Sequence, residues 1–245
     1  MIVGFVGSGS MAAAIARGWA GEFERMLFSD SGSGRAAELA REIGGEAVSN
    51  AEIVARADLV VVAVKPAALD GVAPDLGAAA RVVSILAAVS VERLREAFPG
   101  AEVLRVMPNV GVEVRQGVLC VAGEASAEVR RKLDLLGHVA EIPDADFDAA
   151  TAVMGCSPAY LALAVEAIAD AGAEDGLDPE LALELTVETA VGTAALLRAR
   201  SPADVRKAVA SPGGSTEAGL EALDREGAEA AFAAAVRASL ERMRG

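Results

Sequence analysis

Short apolar runs alternate with helical patterns through the first half of the chain. "IVGFV", Ile2 to Val6, is followed by a glycine-rich corner and then an alanine-rich helical pattern from Met11. "RMLFSD" reads as a second strand ending near Ser29 or Asp30, and "GRAAELAREIG" as a helix closed by Gly44 and Gly45. "ADLVVVAVKP" is apolar at successive positions, as a strand covered on both faces requires, and Pro66 stops it. "RVVSIL" and "AEVLRVMP" repeat that pattern, with the helical "SVERLREAF" between them. Strands alternating with helices predict an α/β fold, a Rossmann-type, doubly wound parallel sheet.

The pattern changes near residue 145. From Phe147 onward no segment reads as a strand, and helical stretches are predicted over 158–175, 179–199, 202–209 and 215–243, with a break near Gly227. Pro158, Pro179 and Pro202 sit near helix starts, where proline is tolerated. The expected division is a dinucleotide-binding domain over 1–147 and an all-helical domain over 148–245. His138, in "LGHVAEI", leads into an edge strand and reads as structural.

Composition narrows the chemistry. The 245 residues suffice for one large or two modest domains; 53% are apolar but only 3% aromatic, which suits close-packed helices with small side chains. A net charge of −14 argues against nucleic acid as a partner. Cys120 and Cys156 stand in no metal-ligand spacing, so neither a disulfide framework nor a metal site is expected. The chain opens directly into a strand, without a charged leader, and no apolar run reads as long and unbroken enough to span a bilayer. The expectation is a soluble cytoplasmic protein.

Gly7-Ser8-Gly9-Ser10-Met11-Ala12 fits GxGxxA between a strand and a helix. In that setting Gly7 permits the turn, Gly9 lets a pyrophosphate approach the backbone, and Ala12 lets the helix pack close to the strand. The helix N-terminus offers free N–H groups to the phosphates. Asp30 lies about 20 residues further on, where a carboxylate reads a ribose 2′-hydroxyl and selects NAD. Ser29, Ser31, Ser33 and Arg35 surround it, however, and hydroxyls with an arginine suit the 2′-phosphate of NADP. Both cofactors stay open, as does a plain turn role for Asp30.

Ligands of such sheets bind beyond the carboxyl ends of the strands. That places Ala63, Val64, Lys65 and Pro66 against the cofactor, with Lys65 reaching phosphate or ribose or simply facing solvent. Asn109, at the end of "VMPN", holds the nicotinamide amide or a substrate group, or only forms a turn. In "SPGGSTEAGL", Ser211 to Leu220, Gly213 and Gly214 open the backbone, and Ser215 and Thr216 are natural N-cap residues for the helix that follows. Exposed N–H groups there suit a carboxylate.

The ordered set of the glycine corner, "AVKP", "RVMPN", "SPAY", "EAIADAG", "GL" and "SPGGSTEAGL" resembles pyrroline-5-carboxylate reductases over nearly the whole chain. The resemblance implies a Rossmann domain, a helical domain that dimerises, and dimers that assemble further into decamers. It implies hydride transfer from NADPH or NADH to the C=N carbon of a cyclic imino acid, giving proline. It assigns Ser211, Gly213, Gly214, Ser215 and Thr216 to the substrate carboxylate and ring nitrogen, with Thr216 bonding that nitrogen and assisting proton delivery. Such chemistry needs no metal, because an iminium carbon is already electrophilic; it needs position and one proton.

The chain departs from the family pattern in four places. Met154-Gly155-Cys156-Ser157-Pro158-Ala159-Tyr160 replaces the usual Ser-Gly-Ser-Gly-Pro-Ala-Tyr, and Pro108-Asn109-Val110-Gly111 replaces Pro-Asn-Thr-Pro. Lys207 stands where an Asp often precedes SPGG, and Ser10 where an Asn is usual. These changes keep two alternatives open: a reductase of a related cyclic imine such as a piperideine carboxylate, and a non-catalytic NAD(P)-binding protein. A β-hydroxyacid dehydrogenase, which places a catalytic lysine on its second domain, is disfavoured because no lysine lies between Lys132 and Lys207.

Overall fold

Eight strands form one sheet in a computed structural model that describes residues 1–244. The strands are Ile2–Val6 (β1), Arg25–Ser29 (β2), Glu46–Ala47 (β3), Leu59–Val62 (β4), Arg81–Ser84 (β5), Glu102–Pro108 (β6), Gly117–Gly123 (β7) and Gly137–Glu141 (β8). Their spatial order is β3-β2-β1-β4-β5-β6-β7-β8, with the reversal of winding order between the parallel strands β1 and β4 that a doubly wound sheet requires. The connecting helices are Ser10–Gly18 (α1), Arg35–Ile43 (α2), Asn50–Arg56 (α3), Leu69–Val72 (α4), Val91–Ala97 (α5) and Ala127–Asp134 (α6). A short helix, Phe147–Ala150 (α7), and a π-turn over Thr151–Gly155 follow β8.

Both faces of the sheet are buried, which is why its strands read as apolar at successive positions. Val3 and Phe5 of β1 and Leu59 and Val61 of β4 pack into one layer with α1 and α2. Val6, Val60 and Val62 point the other way, into a layer with Ile53 of α3 and Leu94 of α5. Trp19 ends α1 fully buried against Phe5 and Phe23, and its indole N–H donates to the Lys132 carbonyl at 2.6 Å.

One strand departs from the parallel plan. β7 runs antiparallel to β6, pairing Val106 with Val121 and Met107 with Cys120. The connection between them is a single 3₁₀ segment, Val110–Val114, too short for the crossover a parallel neighbour needs. β8 returns to parallel pairing with β7 through α6, and it carries exposed His138 on the edge of the sheet, as expected.

The turn after β5 holds an alanine in left-handed backbone, Ala88 at φ 57°. Its methyl is exposed, so little packing offsets the steric cost. Ala88→Gly is expected to stabilise the protein by about 0.5–1 kcal/mol, read as a higher urea midpoint at unchanged slope. A lower midpoint would show that the methyl makes a contact worth more than the strain.

The chain falls into two compact units: Met1–Gly155 with the extreme C-terminus from Met243, and Cys156–Arg242. The sequence puts the division at Phe147. In the structure Phe147 is buried in the first unit, beneath the Arg105 guanidinium at 4.0 Å from its ring centre. Gly245, the last residue of the expected helical domain, lies outside the described residues.

The second unit is helical throughout: Ser157–Glu174 (α8), Pro179–Leu197 (α9), Pro202–Val209 (α10), Ser215–Arg225 (α11) and Ala228–Arg244 (α12). Pro158, Pro179 and Pro202 occupy first-turn positions, and Asp178 and Ser201 cap α9 and α10 through their side chains. Gly227, at φ 73°, makes the expected break between α11 and α12. This unit leaves much of its apolar surface bare: Leu161, Leu163, Ile168 and Val191 are each at least 60% exposed. One continuous helical stretch, Asp144–Glu174, is apolar and long enough by composition to cross a membrane. That corrects the expectation that no such run exists; Glu166 and Asp170 interrupt the apolar pattern in sequence without disqualifying the stretch.

Candidate active site

Two loops carry the candidate chemistry, one in each unit. In the first unit, β1 ends at Val6 and the chain turns sharply at Gly7, whose φ is 99° and whose N–H donates to the Ser29 carbonyl at 3.1 Å. A Cβ on Gly7 would lie 2.6 Å from the Ala63 carbonyl oxygen, so only glycine fits where β1 and β4 converge. Ser8 is buried and its hydroxyl donates to the same Ser29 carbonyl at 3.0 Å. Its work is to tie β1 to β2.

Gly9 differs from Gly7 in kind. Its φ of −80° suits any residue, and beyond its chain neighbours no atom of the described residues lies within 4 Å of where a Cβ would be. Nothing inside the protein demands a glycine there; the bare backbone serves space outside it. Gly9 is also the N-cap of α1, and no side chain caps the helix. The N–H groups of Ser10, Met11 and Ala12 therefore have no intrahelical partner, and the dipole favours an anion at that end. Ala12 is buried and holds α1 close against the sheet. This arrangement fits a dinucleotide pyrophosphate.

Two cavities adjoin the corner. One of about 480 Å³ is lined by Gly7, Ser8, Gly9, Asp30, Ala63, Val64 and Lys65, all expected from sequence. Asn50, Ala68 and Val72 also line it; they begin α3 or follow β4, and the rule that ligands sit beyond strand ends could have found them. The second, about 370 Å³, runs along Ser10, Met11 and Arg35. Lys65 is exposed and its ammonium pairs with no carboxylate among the described residues. Pro66 begins a short 3₁₀ turn after Lys65 and lines a separate cavity.

Asp30 turns back on its own loop. Oδ1 accepts the N–H groups of Gly32 at 2.7 Å and Ser33 at 3.0 Å, and Oδ2 accepts that of Ala36 at 2.7 Å. The Ala36 N–H above all, with those of Gly32 and Ser33, holds the carboxyl below its ordinary range against the opposing effect of partial burial. Asn109 is engaged as well: its Oδ1 accepts the Val118 N–H at 3.0 Å and its Nδ2 donates to the Met154 carbonyl at 3.1 Å. The amide thus joins the start of β7 to the π-turn after α7.

In the second unit, Ser211 to Gly214 close a turn through the Gly214 N–H and Ser211 carbonyl at 2.9 Å, with Pro212 second and Gly213 third at φ 73°. Proline and glycine in that order suit a type II turn. Helix α11 begins one residue earlier than the hydroxyl pattern suggests. Its N-cap is Gly214, with no side-chain cap, so Ser215 and Thr216 occupy the first turn rather than the cap. Glu217 reaches back instead to the Gly213 N–H at 2.6 Å. This leaves the Ser211, Ser215 and Thr216 hydroxyls exposed and without a partner among the described residues. The N–H groups of Ser215 and Thr216 have no intrahelical acceptor. The loop presents donors and a positive helix end, a set that suits a small carboxylate.

Cys120 is buried, which pushes its thiol pKa up and leaves it inert. Among the described residues no cluster of His, Cys, Asp and Glu could hold a metal.

Comparison with known proteins gives the same picture from outside. Residues 144–245 match the family described as pyrroline-5-carboxylate reductase dimerisation, and residues 2–88 the one described as NADP oxidoreductase, coenzyme F420-dependent. The chain is 36% identical to the pyrroline-5-carboxylate reductase of Thermus thermophilus, over 99% of this chain and 97% of that one. It is 38% identical to the enzyme of Pseudomonas aeruginosa, over 98% and 94%. Among solved structures, that of 1-pyrroline-5-carboxylate reductase from Streptococcus pyogenes superposes with a TM-score of 0.88 at 32% identity, covering 99% of this chain and 98% of that one. A pyrroline carboxylate reductase of Plasmodium falciparum, solved with NADP bound, gives 0.85 at 26% identity, covering 99% and 97%.

Proposed function

The chain belongs to the pyrroline-5-carboxylate reductase family, and from that premise we propose how its two loops divide one reaction. The reaction is the reduction of L-1-pyrroline-5-carboxylate to L-proline with NADPH or NADH. The observation that carries the reading is the uncapped, unobstructed corner at Gly9 in a chain that matches these reductases along its whole length.

Bound NAD(P)H supplies a hydride from C4 of its nicotinamide; one proton at the ring nitrogen completes the balance. Gly7, Ser8, Gly9, Ser10 and Met11 hold the pyrophosphate, and Ala63, Val64, Lys65 and Pro66 flank the remainder of the dinucleotide. Asn109 acts by bracing the wall formed by β6, β7 and the π-turn. Ser211, Gly213, Gly214 and Ser215 receive the substrate carboxylate through hydroxyls and free N–H groups. Thr216 donates or relays a hydrogen bond at the ring nitrogen. None of these groups is a strong acid or base, which suits a substrate whose carbon is electrophilic once protonated.

The chain is a homo-oligomer with a small-molecule substrate. We propose that a second copy covers the bare apolar surface of α8 and α9, that such dimers assemble into decamers, and that the protein is cytoplasmic. On this account the apolar stretch Asp144–Glu174 serves subunit contact rather than a bilayer.

Thr216→Val is expected to lower kcat/KM for pyrroline-5-carboxylate about tenfold, the scale of one hydrogen bond, while NAD(P)H affinity stays unchanged. Thr216→Ser, which keeps the hydroxyl, should retain most activity. A fully active valine variant would remove Thr216 from the reacting nitrogen.

A further inference from the structure

A strained alanine stands beyond the carboxyl end of β5. We propose, on the basis of the reduction assigned above, that Ala88 is a positioning residue for hydride transfer. Its methyl is held in left-handed backbone at a cost to the fold, and it confines the nicotinamide ring of the bound cofactor against the substrate.

Ala87 and Ala88 form the exposed tip of a turn between two buried anchors, Leu86 and Val89. Ala88 has φ 57°. Turn positions with positive φ go to glycine by default, because a Cβ there crowds the backbone. Among the described residues, Arg115 is the other non-glycine residue with positive φ, at 59°. Its strain is offset. The Arg115 guanidinium donates to the Gly18 carbonyl at 2.8 Å and the Ala20 carbonyl at 3.1 Å, and it pairs with Glu22 at 3.1 Å. A methyl donates nothing, and Ala88 is exposed, so the fold gains little from a side chain at this position.

Ala88 does border a cavity. About 240 Å³ is walled by Pro66, Ala87, Ala88, Arg105, Met107 and Thr151. Pro66 follows β4, the two alanines follow β5, and Met107 lies near the end of β6. The cavity therefore sits at the carboxyl ends of three adjacent strands, where ligands of such sheets bind. Lys65, the residue before Pro66, lines the larger cavity beside Gly9. A dinucleotide with its pyrophosphate at Gly9 crosses the switch point between β1 and β4, which brings its second half to this side. Walls of proline, alanine and methionine suit a flat ring better than a phosphate.

Two further departures from local rules meet at the same cavity. Arg105 Nε is buried without a partner among the described residues, and Thr151 begins the π-turn. Backbone strain, an unsatisfied buried donor and a π-turn each have a cost, and all three gather at functional sites. Hydride transfer gains from such a wall, because its rate falls steeply when the two carbons are allowed to separate. Glycine at position 88 would relieve the strain and give the ring room to retreat.

The test compares Ala88→Gly and Ala88→Ser with the parent full chain in urea unfolding, in NAD(P)H binding by nicotinamide fluorescence, and in single-turnover oxidation of the cofactor by pyrroline-5-carboxylate. Deuterium at both C4 positions of the cofactor marks the hydride step. Ala88→Gly is expected to have the higher urea midpoint and yet to transfer hydride about tenfold more slowly, with NAD(P)H affinity within about twofold of the parent. Ala88→Ser keeps both the Cβ and the strain and should keep the parent rate. A residue of purely structural value would move stability and rate in the same direction. A glycine variant with the parent rate would overturn the inference, as would one that loses stability and rate together, or a serine variant as slow as the glycine one. A parent protein that binds NAD(P)H but transfers no hydride to pyrroline-5-carboxylate would overturn the proposed reaction itself, and this inference with it.

Discussion

Gly9→Ala leaves the protein folded and lowers NAD(P)H affinity on the order of 100-fold. The added methyl meets no protein atom within 4 Å and the backbone there is ordinary, so the melting temperature should hold. What the methyl does fill is the approach to the uncapped N–H groups of α1, where the proposed pyrophosphate would accept charge-assisted hydrogen bonds. The same substitution at Gly7 acts by another route. There the methyl collides with backbone atoms of Ala63 and Val64, and the φ of 99° is strained for any side chain. Gly7→Ala should cost about 3 kcal/mol of stability as well as cofactor binding. Thermal melting and nucleotide titration of both variants separate the two roles. If Gly9→Ala binds NAD(P)H as the parent does, the pyrophosphate does not sit at this corner.

The second large effect is expected at a buried ion pair. Arg105 lies in the middle of β6 with 5% of its side chain exposed, between Ser84 of β5 and Ala122 of β7, whose small side chains make room for it. Its Nη1 donates to Asp144 Oδ1 at 2.9 Å, its guanidinium lies over Phe147, and its Nε has no partner among the described residues. Asp144 is the more exposed partner, at 33%, and its Oδ2 also accepts the Val91 N–H at the start of α5. The two deletions are therefore unequal. Asp144→Ala strands a buried cation and should cost about 3 kcal/mol. Arg105→Met removes the buried charge, fills much of the same volume and should cost less, because water reaches the carboxylate that remains. Urea midpoints of the two single variants and the double variant measure this; the double should be more stable than Asp144→Ala alone. Equal losses below about 0.5 kcal/mol would make the pair no more than a surface contact.

Much of the fold was legible because the chain repeats a simple rule. Strands buried on both faces are apolar at successive positions, so "LVVV" and the central valines of "RVVS" stand out without alignment. The helical half was equally legible, since Pro158, Pro179, Pro202 and Gly227 punctuate it where the backbone requires them. β7 was harder. "GVLCVAG" is apolar, but its direction depends on the short chain path from Asn109 through Val114, which periodicity does not encode. The division of the chain also depends on tertiary packing: strand patterns stop before Phe147, yet its ring is committed to Arg105 and the first unit runs on to Gly155.

The site was legible in residue type more than in role. Gly7 and Gly9 look alike in a motif, and only the distances to Ala63 show that one serves the fold while the other faces open space. Asp30 reads from sequence as a ribose ligand or a turn former, and its three backbone partners are visible only in the folded loop. Ser215 and Thr216 look like caps, yet the helix starts at Ser215 and so leaves both hydroxyls uncommitted. Asn50 escaped notice because it follows a strand of only two residues, Glu46–Ala47, which leaves almost no apolar signal.

The most direct measurement mixes the purified full chain with pyrroline-5-carboxylate and reduced cofactor, NADPH and NADH in parallel, and follows nicotinamide absorbance alongside proline. The account predicts cofactor oxidation and proline formation in equal amounts. A protein that binds the cofactor yet leaves it reduced in the presence of pyrroline-5-carboxylate would contradict it.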